Sequence, residues 1–201
     1  MSARPKARAR QPDYLFKICL IGDGGVGKTC IARRLCNDTF SLDTQLTVGI
    51  DFYTYEFSVI AEDEENLVKL LIWDFGGQEQ FKALFQSYIA GVNGMFLVFD
   101  LLRIESLMKL EWWYNKIKKF DLQNTPKIMI GTKLDLAESV KKQFKVDKLL
   151  VEEFLQRHEE KDYLATSAKD NINISLIFKE LIQKIFDHQN FIGQKKVIFK
   201  D

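Results

Sequence analysis

Residues 22 to 29 read Gly22-Asp23-Gly24-Gly25-Val26-Gly27-Lys28-Thr29. The spacing Gly-x-x-x-x-Gly-Lys-Thr suits one task, cradling a run of phosphates. Glycines let backbone N–H groups turn inward and approach anionic oxygens closely. Lys28 brings an ammonium to the β- and γ-phosphates, and Thr29 offers a hydroxyl to Mg²⁺. The flanks agree. Residues 15–21 form a short apolar run that reads as a buried strand. Beyond the loop, Ile31, Ala32 and Leu35 sit at helical spacing. The loop therefore opens a helix whose N-terminal dipole favours an anion.

With 201 residues and 46% apolar side chains, the chain is long enough for one domain with a full core. Net charge is +1, so no global nucleic-acid footprint is present. The first ten residues hold Arg4, Lys6, Arg8 and Arg10 and no acid, which leaves −3 for the rest. Residues 1–13 therefore read as a basic flexible arm, with contact to an anionic membrane or partner as the second option. Cys19, Cys30 and Cys36 are the three cysteines. They form no Cys-x-x-Cys pair, and their scarcity fits a reducing, cytoplasmic setting. No apolar run reaches transmembrane length, and no signal peptide opens the chain. His158 and His188 lie far from every motif and read as surface or packing residues.

Strand and helix patterns alternate along the chain. Residues 52–60 and 67–73 are rich in β-formers and flank an acidic turn at 62–66, the pattern of a hairpin. Residues 95–99 and 127–130 are continuous apolar runs, and 162–166 is a short last strand. Helical stripes run through residues 105–120, through Val146, Leu150, Phe154 and Leu155, and through 174–187 with Asn173 as N-cap. The expected fold is α/β, a six-stranded mostly parallel sheet with one antiparallel edge strand and about five flanking helices. The domain spans 14–187, and 188–201 form a tail. Ligands of such sheets sit at the carboxyl ends of the strands.

The strand ends carry chemistry. Residues 67–73 lead into Asp74-Phe75-Gly76-Gly77-Gln78-Glu79. Asp74 stands where a carboxylate for Mg²⁺ belongs. Gly77 offers an N–H to the γ-phosphate, and Gln78 can hold an attacking water by donating and accepting hydrogen bonds. Residues 127–130 lead into Gly131-Thr132-Lys133-Leu134-Asp135. A carboxylate at Asp135 accepts from the guanine N1–H and 2-amino group together, a donor pair that adenine lacks. The Lys133 stem can cover the base face. The last strand ends in Ser167, Ala168 and Lys169, whose N–H groups can meet the guanine carbonyl.

This ordered set of motifs resembles the Ras superfamily of small GTPases, over about residues 14–187. The resemblance implies a GTP/GDP switch that uses Mg²⁺ and hydrolyses GTP slowly without an activating protein. It assigns nucleotide contacts to Gly22, Gly24, Gly25, Val26, Gly27, Lys28, Thr29 and Cys30, and to Thr132, Lys133, Asp135, Ser167, Ala168 and Lys169. Thr47 becomes the switch threonine that meets Mg²⁺ and the γ-phosphate, so Thr29, Thr47 and Asp74 form the metal set. Phe40 packs on the guanine edge. Gln78, Lys28 and Thr47 carry the catalysis. Thr47-Val48-Gly49-Ile50-Asp51-Phe52 is similar to the Rab switch segment, and Phe52, Trp73 and Tyr88 match the Rab aromatic triad that effectors read. Exchange factors and GTPase-activating proteins are implied partners, and the chain is expected to be a monomer.

Three departures stand out. Phe75-Gly76 replaces the usual Thr-Ala, a pair also similar to Roco GTPase domains. Thr132 replaces the usual Asn, yet can still hydrogen-bond the phosphate loop. Residues 192–201 hold no cysteine for a prenyl group, and Ser2 does not fit myristoylation. At most transient membrane contact is expected, through partners, as in unlipidated Rab-like and septation-signalling GTPases. A guanine-nucleotide-binding module with little hydrolysis is the alternative, and Gln78 favours the switch.

Overall fold

The computed structural model describes residues 10–41, 45–61, 64–141, 143, 145–189 and 197–199. Arg4, Lys6 and Arg8 of the basic arm, and residues 190–196, 200 and 201 of the tail, lie outside the described residues. The centre of the sheet is β1 (Tyr14–Gly22), which is apolar on both faces. Phe16, Ile18 and Leu20 enter one core layer, while Cys19 and Ile21 enter the other. Both faces of the strand are covered, so its sequence reads as an unbroken apolar run. β4 (Gly94–Asp100) and β5 (Lys127–Thr132) repeat the pattern. Phe96, Val98, Ile128 and Ile130 face the first layer, and Met95, Leu97, Phe99 and Met129 face the second.

β2 (Ile50–Ala61), β3 (Glu64–Phe75), β6 (Tyr163–Ala165) and β7 (Ile198–Phe199) complete a sheet of order β6-β5-β4-β1-β3-β2-β7. Pairing is parallel from β6 across to β3, and β2 is antiparallel to both β3 and β7. β1 lies between β3 and β4, where the strand order reverses. The loop leaving such a strand opens into the crevice where α/β sheets bind ligands. α1 (Lys28–Asn37) and α7 (Ile174–His188) cover the first core layer. The second lies under α2 (Lys82–Tyr88), α3 (Ile104–Met108), α4 (Leu110–Lys119), α5 (Leu134–Ser139) and α6 (Lys148–Arg157).

The α/β, mostly parallel sheet agrees with the sequence, and three details correct it. The sheet has seven strands among the described residues, not six, and β2 is not its edge. The added strand, β7, is held by side chains rather than by its two backbone pairings. Phe199 stacks on Phe57 with ring centroids 5.7 Å apart, Val197 is buried, and Val197 N–H donates to Gln183 Oε1 at 2.7 Å. Two residues are too few to show a period. The helix expected over 105–120 is divided at Lys109, which keeps near-helical dihedrals of −68° and −15°. About six helices result if α3 and α4 are taken as one. Asn173 precedes α7 but does not cap it with its side chain. Its φ is 60°, and its amide donates to Ala165 O at 2.8 Å instead, tying β6 to the helix start. His158 packs face to face on Tyr114 and pairs with Glu111 at 2.9 Å, a packing residue.

Two glycines separate steric need from conformational preference. A Cβ on Gly22 would lie 2.1 Å from Val98 O, because β1 and β4 run side by side there. Gly91 also has positive φ, 72°, but its Cβ would meet nothing within 4 Å. Gly91→Ala should lose only the ~1 kcal/mol of a left-handed residue. Gly22→Ala should lose well over that and flatten nucleotide retention as well. Urea midpoints of the two variants check the ordering.

Candidate functional site

The turn after β1 lines a cleft of about 430 Å³. Gly25 and Gly27 take φ values of 72° and 100°, which only glycine adopts without strain. Gly24, Gly25, Gly27, Lys28, Thr29 and Cys30 line this cleft. Gly22 and Val26 sit behind the lining, Val26 within the core. Lys28 is nearly buried, and its ammonium donates to Gly22 O at 3.1 Å and Asp23 O at 2.7 Å. Burial pushes its pKa down to about 8; Asp74 and Asp23 pull it back up, and Arg103 adds to the fall.

Thr29, Thr47 and Asp74 converge from α1, the segment before β2, and the end of β3. Thr29 Oγ1 donates to Asp74 Oδ2 at 2.5 Å and lies 2.9 Å from Thr47 Oγ1. Thr47 Oγ1 reaches the same carboxylate oxygen at 3.3 Å. Asp74 Oδ1 is buried without a partner. Burial holds this carboxyl above its ordinary value, against Lys28 and the two hydroxyls. Hydroxyl and carboxylate oxygens with a lone pair to spare fit a hard cation such as Mg²⁺. A soft-metal site does not fit, since among the described residues no three His, Cys, Asp or Glu side chains gather. Burial pushes the Cys19 thiol up to about 12 and the Cys36 thiol to about 11.

Gln78 and Gly77 close the γ end of the cleft. A Cβ on Gly77 would lie 2.2 Å from Asp23 C, so the end of β3 touches the phosphate loop backbone to backbone. A Cβ on Gly24 would sit 3.8 Å from Gln78 Cγ, so side chains larger than alanine there displace Gln78.

The other end holds Phe40, Thr132, Lys133, Asp135, Ala168 and Lys169. Ser167 lies behind them and donates from its hydroxyl to Asp135 Oδ1 at 2.7 Å. That bond orients the carboxylate while leaving its second oxygen for a ligand. Thr132 donates from Oγ1 toward Val26 O, with Phe99 O also 3.0 Å away. The threonine thus still braces the phosphate loop to β5. Lys133 stands at positive φ and pairs with Asp100 at 2.7 Å, which holds its stem over the cleft.

Sequence reasoning missed Asp100 and two arginines. Arg34 of α1 donates from Nε to Ala168 O at 2.7 Å and from Nη2 to Lys169 O at 3.0 Å. Its Nη1 meets Asp38 O and Oδ1, both at 3.0 Å. Arg103 reaches the phosphate loop from beyond β4. Asp100 could have been suspected from its place at a strand end. Both arginines act on main-chain carbonyls, and sequence does not display those.

Phe52, Trp73 and Tyr88 lie together. Phe52 meets Trp73 edge-on at 4.7 Å, and Trp73 meets Tyr88 at 5.7 Å. Phe52 is 60% and Tyr88 42% exposed. Lys17 Nζ lies 3.7 Å over the Trp73 ring and donates to Ala90 O at 3.0 Å.

Fold and site together define the class, a phosphate-loop α/β domain that binds a nucleotide. Residues 17–187 match the family model described as the Ras family. The chain is 37% identical over 169 residues to human Ras-related protein Rab-30, covering 84% of this chain and 79% of that one. It is 35% identical to Ras-related protein RIC1 of Oryza sativa subsp. japonica and 32% to GTP-binding protein ypt1 of Schizosaccharomyces pombe. Each covers 86% of this chain and 81% of the relative. The chain belongs to the Ras family; it is a Rab-like small GTPase, hydrolysing GTP to GDP and phosphate.

Arg34 generates a prediction. It ties the Ala168–Lys169 turn to Asp38, at the start of the segment that carries Phe40 and Thr47. Arg34→Ala removes charge-assisted bonds of ~1.5–3 kcal/mol each. GDP and GTP should both leave about tenfold faster or more, in equal proportion, because the arginine serves the guanosine end. Release of a fluorescent nucleotide measures it.

Proposed function

We propose that the chain is a Mg²⁺-dependent GTP/GDP switch for vesicle trafficking or signalling, read by effectors at Phe52, Trp73 and Tyr88. Thr29, Thr47, Lys28 and Gln78 line one cleft, with the buried Asp74 bonded behind the two threonines, and this convergence carries the reading. Asp135, oriented by Ser167, selects guanine through its paired donors. The inward N–H groups of residues 24–29 and the Lys28 ammonium take the phosphates. Gln78 positions the attacking water, and Gly77 offers an N–H to the γ-phosphate. The Thr29 and Thr47 hydroxyls and the Asp74 carboxylate would hold Mg²⁺, which would supply positive charge against the negative charge that develops on the phosphates. Catalysis is then mostly positioning and charge neutralisation.

Among the described residues, no arginine lines the cleft. Arg33 is engaged by Tyr53 at 3.3 Å, and Arg34 by residues 168–169. Turnover is therefore slow until a partner supplies an arginine, which adds about 10³–10⁵-fold. Loss of the γ-phosphate removes the tie between Thr47 and residues 76–78, and the aromatic surface responds. Exchange proteins, activating proteins and effectors are the partners, and the working form is a monomer. The switch unit is residues 14–187, flanked by the 1–13 arm and the 188–201 tail. Its place is the cytoplasm, meeting membranes through partners. Among the described residues, no helix is long and apolar enough to cross one.

Chromatography of the nucleotide released from purified protein should show GDP or GTP; ADP or ATP would sink the guanine assignment. Gln78→Leu should slow hydrolysis by about 10²-fold while leaving GDP affinity intact. Unchanged turnover in that variant, or none in the parent chain with candidate activators, leaves a guanine-nucleotide-binding module. Chelating Mg²⁺ with EDTA should speed nucleotide release by about tenfold or more. If release is unaffected, the metal set assigned to Thr29, Thr47 and Asp74 fails.

A further inference from the structure

Arg103 grips a main-chain carbonyl of the phosphate loop from outside the cleft. It begins the turn into α3, and its backbone is fixed before its side chain acts. Arg103 N–H donates to Asp100 O at 3.0 Å, and Arg103 O accepts from the buried Ser106 hydroxyl at 2.6 Å. From that anchor, Nη2 donates to Gly24 O at 2.7 Å and approaches Asp23 Oδ2 at 3.5 Å. Nε is buried with no partner. Lys109 reaches the same Asp23 oxygen at 3.0 Å, so the loop's carboxylate is neutralised from two sides. Arg103 itself does not line the cleft.

We propose that Arg103 is a positioning residue for hydrolysis, locking the Gly24–Gly25 peptide with its N–H toward the γ end of the cleft. The peptide is trans, so its C=O and N–H point in opposite directions. A guanidinium on the carbonyl fixes the plane of the whole unit. It also polarises the peptide and strengthens the N–H as a donor. The glycines on either side impose no preference of their own, Gly25 standing at φ 72°. Without an outside grip, that peptide is free to flip and lose its inward donor. A preoriented donor stabilises charge as it develops on the departing phosphoryl group, with no reorganisation at that moment. The geometry also joins the two ends of the site. Asp100 holds Lys133 at the guanine end, and three residues later Arg103 holds the phosphate end.

The inference rests on the nucleotide orientation proposed above. Its test is single-turnover hydrolysis of bound GTP by the parent chain and by Arg103→Ala, Arg103→Lys and Lys109→Ala, with GDP affinity and melting temperature alongside. Arg103→Ala should lose about tenfold in rate, less than removal of a direct oxyanion donor, with a smaller loss in GDP affinity. Arg103→Lys, which keeps a donor for Gly24 O, should recover part of the rate. Lys109→Ala, which touches only Asp23, should hydrolyse normally. An unchanged rate in Arg103→Ala overturns the inference. So does an equal fall in Lys109→Ala, which would assign the effect to Asp23 neutralisation. A fall in GDP affinity matching the fall in rate also overturns it, showing a merely structural grip. Parent protein that turns over no GTP, with or without activators, sinks the hydrolysis assignment and this inference with it; failure of the Arg103 variant to differ sinks only the latter.

Discussion

A backbone loop can present its N–H groups to an anion only if its carbonyls are caught on the other side. Most of this site follows from that constraint. Lys28 takes Gly22 O and Asp23 O, Arg103 takes Gly24 O, and Thr132 takes Val26 O. The first helical hydrogen bond of α1 takes Gly27 O, from Ile31 N–H at 3.1 Å. The partners arrive from three elements, so the loop's shape is set by α1, the turn before α3, and β5 together. An unpartnered buried carbonyl costs about 1–3 kcal/mol, so these contacts are conditions of the fold as well as of binding.

The same cleft holds opposed charges out of water. Lys28 and Asp74 are both nearly fully buried, and burial weakens the charged form of each. Their mutual attraction offsets only part of that effect, since Lys28 still falls to about 8 and Asp74 still rises. A triphosphate with its cation supplies what each lacks. Phosphate oxygens favour the charged ammonium, and a cation favours the charged carboxylate. The site is therefore least comfortable when empty, and ligand binding should stabilise the fold by mass action.

Legibility in the sequence followed the kind of interaction involved. Strands buried on both faces appear as unbroken apolar runs, so β1, β4 and β5 were visible within a residue or two of their ends. The phosphate loop, Asp74, Asp135 and Gln78 were visible because each chemistry demands a particular side chain at a strand end. β7 was not, because two residues show no period and its docking depends on Phe57 and Gln183, far away in sequence. Arg34 and Arg103 were hidden for a related reason. Their partners are carbonyls, which every residue possesses, at separations of 134 and 79 residues. Asn173 shows the converse failure. Its type suits an N-cap, but it stands at φ 60° and its amide NH₂ donates to Ala165 O, eight residues back.

In the proposed switch, no long relay separates the γ-phosphate from the effector surface proposed at Phe52, Trp73 and Tyr88. In the β2–β3 hairpin, Asp51 opposes Asp74 and Phe52 opposes Trp73. The Asp74 carboxylate, proposed to hold the metal, and the pair of exposed Phe52 and half-buried Trp73 are thus consecutive residues on the same two strands, pointing to opposite faces. Just beyond, Gly76 N–H donates to Gly49 O at 2.9 Å, and a Cβ on Gly76 would lie 2.6 Å from Thr47 O. The two switch segments are therefore pressed together where glycine alone fits. In the proposed switch, Thr47 moves with the γ-phosphate, and Gly49 and Gly76 beside it lie at the end of the strands that carry Phe52 and Trp73, with Lys17 held over Trp73 by carbonyls of residues 88 and 90.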